Sequence, residues 1–173
     1  MKEARRTAEA PSFYTLSGIP GAGKTHARKT FLSGIPAVDC DEIKRSLPGY
    51  DPDNPGLIHE QSSVISIREV YSRIGSGRSF VYDSTGTNLE KLSRMVDAAH
   101  LAGFEAVLVY VTAPLSLCIE RNRTRDRHVS ESVIREKAAV IETVVSQLRR
   151  GVDRTVVIDT SGDSPVIVEG RLP

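Results

Sequence analysis

The sequence predicts an α/β domain whose central sheet is mainly parallel, and three observations support this prediction. Short apolar runs typical of buried strands alternate with longer stretches of helical periodicity along the chain. Glycine, proline and asparagine clusters separate these segments, and no repeat, linker or low-complexity stretch interrupts them. The length of 173 residues suits one domain with a sizeable core. We therefore expect a single domain over residues 1–173, in which residues 1–11 form a flexible arm.

Five strands are expected, each as a short apolar run, at residues 12–17, 35–38, 79–82, 105–111 and 154–158. The fourth, EAVLVYV, is the strongest strand signal, and the fifth is expected to be the last strand, near the edge of the sheet. Helices are expected between them, at residues 25–32, 41–47, 57–74, 89–102, 114–122 and 130–149. Gly75 and Gly77 should end the third helix, and Asn88 could cap the fourth. Residues 48–56 are too rich in turn formers for a regular element.

Composition excludes several classes of protein. Apolar residues make up 39% of the chain and charged residues 26%, which is typical of neither a disordered nor a membrane protein. The net charge of +1 argues against nucleic-acid binding by overall charge, so an anionic partner must meet a local basic cluster. Cys40 and Cys118 form no CxxC pair. Because no apolar run approaches a membrane span or a secretory signal, we expect a cytoplasmic protein without membrane contact.

A glycine-rich motif follows the first predicted strand and opens the first predicted helix. It matches G-x-x-x-x-G-K-S/T over Gly18, Ile19, Pro20, Gly21, Ala22, Gly23, Lys24 and Thr25. Backbone N–H groups of such a loop surround phosphate oxygens, and the following helix adds its positive end. Lys24 can bridge the β- and γ-phosphates, and the Thr25 hydroxyl can bind Mg²⁺. The motif predicts a nucleoside-triphosphate site on a P-loop NTPase fold, with His26 in the next turn; a chance match is the alternative.

Acidic residues follow the second and third strands, at the strand ends that face the ligand crevice of an open α/β sheet. In DCDEIKR, Asp39 or Asp41 could accept the proton of an acceptor hydroxyl while a nearby cation holds an acceptor phosphate. The alternative is that one of them only caps the short helix. In DSTGTN, Asp83 has the form of a carboxylate near Mg²⁺ and Thr85 lies beside it, whereas the alternative is a polar turn before Asn88. Asp159, after the late run TVVI, is expected to be structural.

Four arginines at alternate positions form the densest basic cluster: Arg121, Arg123, Arg125 and Arg127. This spacing is poor for one helix face and favours a loop between helices that closes over a triphosphate. The alternative is a solvated helix end.

The order of these motifs resembles that of the small P-loop kinases related to polynucleotide 5′-hydroxyl kinases and zeta toxins. The resemblance covers about residues 12–149, and RNRTRDRHVSESVIR is especially similar to the lid and following helix of bacterial RNA-repair kinase domains. It implies a three-layer sandwich with a helical arginine-rich lid, ATP as donor, Mg²⁺, and a hydroxyl group of a nucleic acid or nucleotide as acceptor. In that family the general base falls on Asp41, the residue holding the acceptor phosphate on Lys44, and the lid arginine that contacts ATP on Arg125. Arg121 is counted with the ATP-binding residues, and the acceptor side comprises Lys44, Arg45, His59, Glu60, Asp83 and Thr85.

Two segments depart from the polynucleotide kinases. Asp83-Ser-Thr85-Gly86 replaces D-x-T-N and is closer to the E-G-T-G of zeta toxins. LIHEQSS, which contains His59 and Glu60, resembles the helix that helps to hold the sugar nucleotide in zeta-like kinases. A zeta-like kinase of a UDP-sugar such as UDP-N-acetylglucosamine, or of another small molecule, is therefore the second hypothesis. A nucleotide-hydrolysing switch without an acceptor is the third.

Overall fold

The computed structural model describes residues 10–51, 54, 56, 58–125 and 129–173. Six strands lie in this part of the chain: β1 Ser12–Ser17, β2 Ala37–Asp39, β3 Phe80–Asp83, β4 Glu105–Thr112, β5 Arg154–Asp159 and β6 Val166–Glu169. The described helices are α1 Lys24–Phe31, α2 Cys40–Ser46, α3 His59–Ser76, α4 Leu89–Leu101, α5 Leu115–Arg123 and α6 Glu131–Leu148.

The strands form one sheet in the order β2-β3-β1-β4-β5-β6, in which the first five strands are parallel. Thr15 at its centre pairs with Tyr82 of β3 on one side and Leu108 of β4 on the other. All residues of β1 are buried, because helices cover both faces of a parallel sheet and leave no solvent face for polar residues to mark. The structure confirms the predicted α/β P-loop NTPase fold.

The sixth strand corrects the expectation that β5 is the last strand, although β5 does lie near the edge, one strand from it. β6 pairs antiparallel with β5, so β5 lies between β4 and β6. Val166 and Val168 of β6 are 57% and 59% exposed, and this short edge strand therefore lacks the buried apolar pattern that predicts a strand. The turn between the two strands begins where Asp159 accepts a hydrogen bond from the Ser161 backbone N–H at 2.7 Å.

Several element ends also differ from the predictions. α3 continues through Gly75 and ends at Gly77, whose φ of +66° is the left-handed conformation that glycine adopts at helix ends. Asn88 caps α4 as expected, since its Oδ1 accepts a hydrogen bond from the Lys91 backbone N–H at 2.9 Å. Arg121 and Arg123 lie in the last turn of α5 and not in a loop, while Arg127 is outside the described residues.

The topology brings the predicted motifs to one edge of the sheet. The carboxyl ends of β1, β2 and β3 are neighbours, and each leads into the segment where a predicted site residue lies. No helix in the described part of the chain is both long and apolar enough to span a bilayer.

Candidate nucleotide-binding site

Residues 18–23 form the loop that joins β1 to α1, and its glycines are required by close packing. Gly21 and Gly23 have φ values of +85° and +83°. A Cβ on Gly21 would collide with the carbonyl oxygen of Cys118, and one on Gly18 would lie 2.6 Å from the carbonyl oxygen of Val111. The loop therefore curls tightly against β4 and α5 and opens directly into the N-terminus of α1, where backbone N–H groups can receive phosphate oxygens.

Lys24 is the first residue of α1, and its Nζ donates a hydrogen bond to the carbonyl oxygen of Gly18 at 2.7 Å. Burial lowers the pKa of Lys24, while the carboxylates of Asp83 and Asp41 act in the opposite direction. The positive charge of Arg125 also lowers the pKa of Lys24. Lys24 thus lies within the electrostatic reach of both predicted acidic segments and of the arginine segment.

The two aspartates of DCDEIKR have different roles. Asp39 adopts an extended conformation and caps α2, where its Oδ1 accepts hydrogen bonds from the backbone N–H groups of Asp41 and Glu42 at 2.9 and 3.0 Å. Its Oδ2 accepts a hydrogen bond from Arg28 at 2.9 Å. The sequence allows either aspartate to cap the helix. In the structure Asp39 caps α2, and the exposed Asp41 in the first turn of α2 does not.

Asp83 is the last residue of β3, and it is buried near Arg28 and Lys24. Its Oδ2 lies 3.2 Å from Nε of Arg28, so Arg28 joins the ends of β2 and β3 through two carboxylates. Burial raises the pKa of Asp83 to about 6, although Lys24 and Arg28 lower it. The adjacent Thr85 contributes through its backbone, since its carbonyl oxygen accepts a hydrogen bond from the Gly18 N–H at 3.1 Å.

On the other side of the loop, Arg121 binds the segment that follows β5. Its guanidinium donates to the carbonyl oxygen of Thr160 at 2.6 Å and to its hydroxyl at 3.1 Å. The Thr160 hydroxyl in turn donates to the carbonyl oxygen of Ala22 at 2.7 Å. Arg121, Thr160 and the glycine-rich loop are therefore joined in one hydrogen-bonded unit.

A cleft of about 240 Å³ opens beside this unit, and its lining residues are Gly21, Gly23, His26, Arg121, Arg125, Thr160, Gly162 and Asp163. The predicted Arg121, Arg125 and His26 lie together here, whereas Arg123 pairs with Glu131 at 3.2 Å. Thr160, Gly162 and Asp163 were not predicted. The signal for them was available, because they directly follow the carboxyl end of a parallel strand, where ligand-binding loops of α/β sheets lie.

The residues predicted for the acceptor side are only partly brought together. Lys44 is buried, and its Nζ lies 3.2 Å from Nδ1 of His59, the first residue of α3. Arg45 and Glu60 are exposed, and no hydrogen bond or ion pair joins either to another described residue. The structure thus supports Lys44 and His59 as neighbours and leaves Arg45 and Glu60 at the surface.

Residues 14–159 match the AAA domain family. The chain belongs to this family. The match runs from Tyr14, the third residue of β1, to the end of β5, and it includes the whole glycine-rich loop. No curated protein matches the sequence significantly.

Several solved structures share the fold of this chain at low sequence identity. The AvrRxo1-ORF1:AvrRxo1-ORF2 complex with sulphate ions matches at 20% identity and a TM-score of 0.71, over 91% of this chain and 57% of that chain. This chain therefore spans little more than half of that protein, which was also solved with ATP. The PezAT toxin–antitoxin system of Streptococcus pneumoniae matches at 15% identity and a TM-score of 0.73, covering 92% and 72% of the two chains.

A third similar structure is that of a putative kinase from Chloroflexus aurantiacus. It matches at 19% identity and a TM-score of 0.60, over 88% of this chain and 86% of that chain. At such identities these likenesses show a shared fold. The shared fold is that of a P-loop NTPase.

Proposed function

We propose that this AAA domain family member is an ATP- and Mg²⁺-dependent kinase that transfers the γ-phosphate to a hydroxyl group of a nucleic-acid or nucleotide-type acceptor. One observation carries the proposal: the phosphate loop with Lys24 lies between the carboxylates at the ends of β2 and β3 on one side and the cleft lined by Arg121 and Arg125 on the other. Phosphoryl transfer needs this combination, a carboxylate for the incoming hydroxyl and cations around the transferring group.

Asp41 is the proposed general base. It lies in the first turn of α2, is exposed to an incoming acceptor and acts electrostatically on both Lys24 and Asp83. In the proposed step, the acceptor oxygen forms a bond to the γ-phosphorus as its proton moves to Asp41. The bond to the β,γ-bridging oxygen breaks, and ADP leaves with that electron pair.

The proposed donor site extends from the glycine-rich loop to the cleft beside Arg121 and Arg125. Arg125 supplies charge to the transferring group, which gains negative charge on its oxygens during transfer. Arg121 holds the segment after β5 through Thr160, so it fixes the wall of the cleft as well as contributing charge.

The donor chemistry around Lys24 fits a magnesium ion. Thr25 is exposed in the first turn of α1, and its hydroxyl makes no hydrogen bond to another described residue. The Asp83 carboxylate lies nearby at the end of β3, and Mg²⁺ prefers oxygen ligands of this kind together with phosphate oxygens and water. Bound Mg²⁺ would neutralise charge on the β- and γ-phosphates. Thr25 is the proposed direct ligand.

A UDP-sugar kinase is the second candidate. Gly86, which distinguishes the DSTG segment from D-x-T-N, has a φ of +74°, and a Cβ there would collide with the Ser17 side chain. The backbone conformation of the segment after β3 thus requires Gly86, the residue that this segment shares with the zeta toxins.

A transfer screen with γ-labelled ATP tests the proposal. The acceptors are 5′-hydroxyl DNA, 5′-hydroxyl RNA, UDP-N-acetylglucosamine and nucleosides, and ADP is measured in parallel without acceptor. We expect label in a nucleic acid or nucleotide. Label only in the UDP-sugar would select the second candidate, and ADP formation that no acceptor stimulates would instead indicate a nucleotide-hydrolysing switch.

A further inference from the structure

Arg28 of α1 belongs to none of the motifs identified in the sequence, but it contacts two carboxylates at the carboxyl edge of the sheet. Its Nη2 donates a hydrogen bond to Oδ2 of Asp39 at 2.9 Å, and its Nε lies 3.2 Å from Oδ2 of Asp83. The side chains of Arg28, Asp39 and Asp83 are only 20%, 12% and 8% exposed. Arg28 is not among the described residues that line the nucleotide cleft, so its contacts are with the strand ends.

The two carboxylates need a cation between them. Asp39 and Asp83 are register partners in the neighbouring parallel strands β2 and β3. Because neighbouring strands lie only about 4.8 Å apart, two largely buried negative charges at these positions repel each other unless a positive group compensates both. A planar guanidinium can contact two carboxylates at once through different nitrogens. Arg28 thus holds the ends of β2 and β3 in a fixed relation.

Asp39 transmits this constraint to α2, because its two oxygens have different partners. Oδ2 accepts from Arg28, whereas Oδ1 accepts from the backbone N–H groups of Asp41 and Glu42 at 2.9 and 3.0 Å. A carboxylate that is held by a guanidinium through one oxygen cannot rotate freely, so its other oxygen stays directed at the first turn of α2. The position of Asp41 in that turn therefore depends on Arg28.

Arg28 is itself fixed relative to the phosphate loop. It follows Lys24 by about one turn of α1, so the two side chains project from the same side of the helix. The helix continues directly from the loop, since the Ala27 backbone N–H donates to the carbonyl oxygen of Gly23 at 3.0 Å. One continuous path of contacts thus leads from the phosphate loop through Arg28 and Asp39 to the first turn of α2.

We propose that Arg28 is a positioning residue, which holds the first turn of α2, and with it the carboxylate of Asp41, in place relative to the phosphate loop. This inference rests on the proposed kinase function, in which Asp41 is the general base. Arg28 does not itself meet ATP or the acceptor and acts through Asp39 and Asp83. Its loss should slow phosphoryl transfer more than it weakens ATP binding, since a displacement of about 1 Å in a reacting group can cost about 10²-fold in rate.

Amide hydrogen exchange of the nucleotide-free protein, followed by NMR, tests the position of α2 without phosphoryl transfer. We expect Arg28→Gln to speed exchange of the Asp41 and Glu42 amides by about fivefold or more, because the carboxylate that caps them loses its support. Lys29→Gln removes an exposed positive charge from the next position of α1 and should leave both exchange rates within about twofold. The proposal is overturned if the two variants exchange these amides at equal rates.

Steady-state kinetics and ATP calorimetry of the same variants test the effect on the base. Arg28→Gln should reduce kcat by about 10–10²-fold while the Kd for ATP stays within about threefold. Arg28→Lys should restore kcat only in part, because one ammonium group does not reproduce the guanidinium geometry between two carboxylates. A kcat of Arg28→Gln within about twofold of wild type, or a loss of ATP affinity as large as the loss of kcat, would contradict the positioning role.

Asp39→Asn approaches the same contact from its other side and serves also if Arg28→Gln does not fold. Asparagine caps helices as well as aspartate does, but it carries no charge for Arg28. Asp39→Asn should therefore lower kcat as Arg28→Gln does, and the double variant should be no slower than the slower single variant. An unchanged kcat in Asp39→Asn, or losses that multiply in the double variant, would overturn the proposal. A wild type that labels no acceptor, together with faster exchange in Arg28→Gln, would refute the kinase function and leave the positioning of α2 intact.

Discussion

Two neighbouring carboxylates in the first turn of α2 allow a matched test of the proposed general base. Asp41 and Glu42 are both exposed, but only Asp41 acts on the pKa values of Lys24 and Asp83. Asp41→Asn keeps the side-chain shape and removes the proton acceptor, so kcat should fall by about 10²–10⁴ while ATP affinity is retained. Glu42→Gln removes the same charge one residue away and should keep near-wild-type kcat. Steady-state kinetics and ATP titrations of both variants would contradict the assignment if they lose activity equally.

Arg125 and Arg123 provide a second matched pair. Arg125 lines the nucleotide cleft and acts on Lys24, whereas Arg123 pairs with Glu131 outside it. If Arg125 stabilises the transferring group, Arg125→Ala should depress kcat far more than it weakens ATP binding. Arg125→Lys should restore activity only in part, because an ammonium does not reproduce the guanidinium geometry. Near-wild-type kcat in both Arg125→Ala and Arg123→Ala would remove Arg125 from the proposed mechanism.

The buried Asp83 carboxylate predicts a pH-dependent stability. Its pKa is about 6 in the folded protein, above the ordinary value of about 3.9 for an unfolded chain. Between these two pH values the folded state holds a proton that the unfolded state has lost, so this group makes stability fall as pH rises from 4 to 6. Relative to Asp83→Asn, wild type should lose about 2 kcal/mol of unfolding free energy between pH 4 and pH 7.

Denaturant unfolding of wild type and Asp83→Asn at both pH values measures this difference. The prediction is contradicted if the difference in unfolding free energy between wild type and Asp83→Asn is the same at both pH values, or if wild type gains stability relative to Asp83→Asn as pH rises. Either result would show that Lys24 and Arg28 offset the effect of burial on the carboxylate.

The glycine-rich loop is more evident from the sequence than the roles of the two aspartates in DCDEIKR. The glycine-rich loop was predictable because its chemistry depends on residues adjacent in sequence. Which of Asp39 and Asp41 caps α2 was not, since the cap is decided by backbone conformation, and Asp39 has the extended φ of −102° and ψ of 110° that capping requires.

At the scale of elements, the connection after β5 is the least expected part of the site. Thr160 joins it to the phosphate loop through Ala22 and to α5 through Arg121. Thr160→Val keeps the shape of the side chain and removes the hydroxyl bonds to Ala22 and from Arg121, so the buried carbonyl oxygen of Ala22 loses this donor, while Arg121 still donates to the Thr160 carbonyl oxygen. We expect a loss of about 1–3 kcal/mol in unfolding free energy, together with weaker ATP binding.

Thr155→Val is the control for this variant. Thr155 lies in the same strand, β5, and its hydroxyl makes no hydrogen bond to another described residue. Chemical denaturation and ATP titration of the two variants should therefore separate them. Equal stability and equal ATP affinity would show that the hydroxyl of Thr160 does not support the loop.

Elements with a strong apolar pattern were predictable, and those without one were not. The buried strands β1 and β4 fall within one residue of their predicted ends, since a parallel strand covered on both faces is a continuous apolar run. β6 has its two valines largely exposed and depends on pairing with β5. α5 ends at Arg123, one residue past its predicted end, so Arg123 lies in the helix and not in the predicted loop. The alternating arginines can share a helix end because their partners Thr160 and Glu131 lie on different elements.

At the scale of the whole molecule, the acidic side of the site is assembled from segments that the sequence keeps far apart. Arg28 of α1 contacts both Asp39 and Asp83, which come together because β2 and β3 are neighbours in the sheet although α2 and α3 separate them in sequence. Long-range contacts of this kind have no signal in a single sequence. The glycine-rich motif, by contrast, is one continuous segment over residues 18–25 and is visible in the sequence itself.

The central claim is that the phosphate loop delivers the γ-phosphate to a hydroxyl acceptor, and the ratio of labelled acceptor to ADP tests it most directly. Wild type with γ-labelled ATP and its best acceptor should form one labelled product for each ADP. Lys24→Ala should lose both products together while remaining folded, because Lys24 lies at the ligand site and not in the apolar core. Formation of ADP at the same rate with and without acceptor, with no labelled product, or activity of Lys24→Ala within tenfold of wild type, would contradict the account.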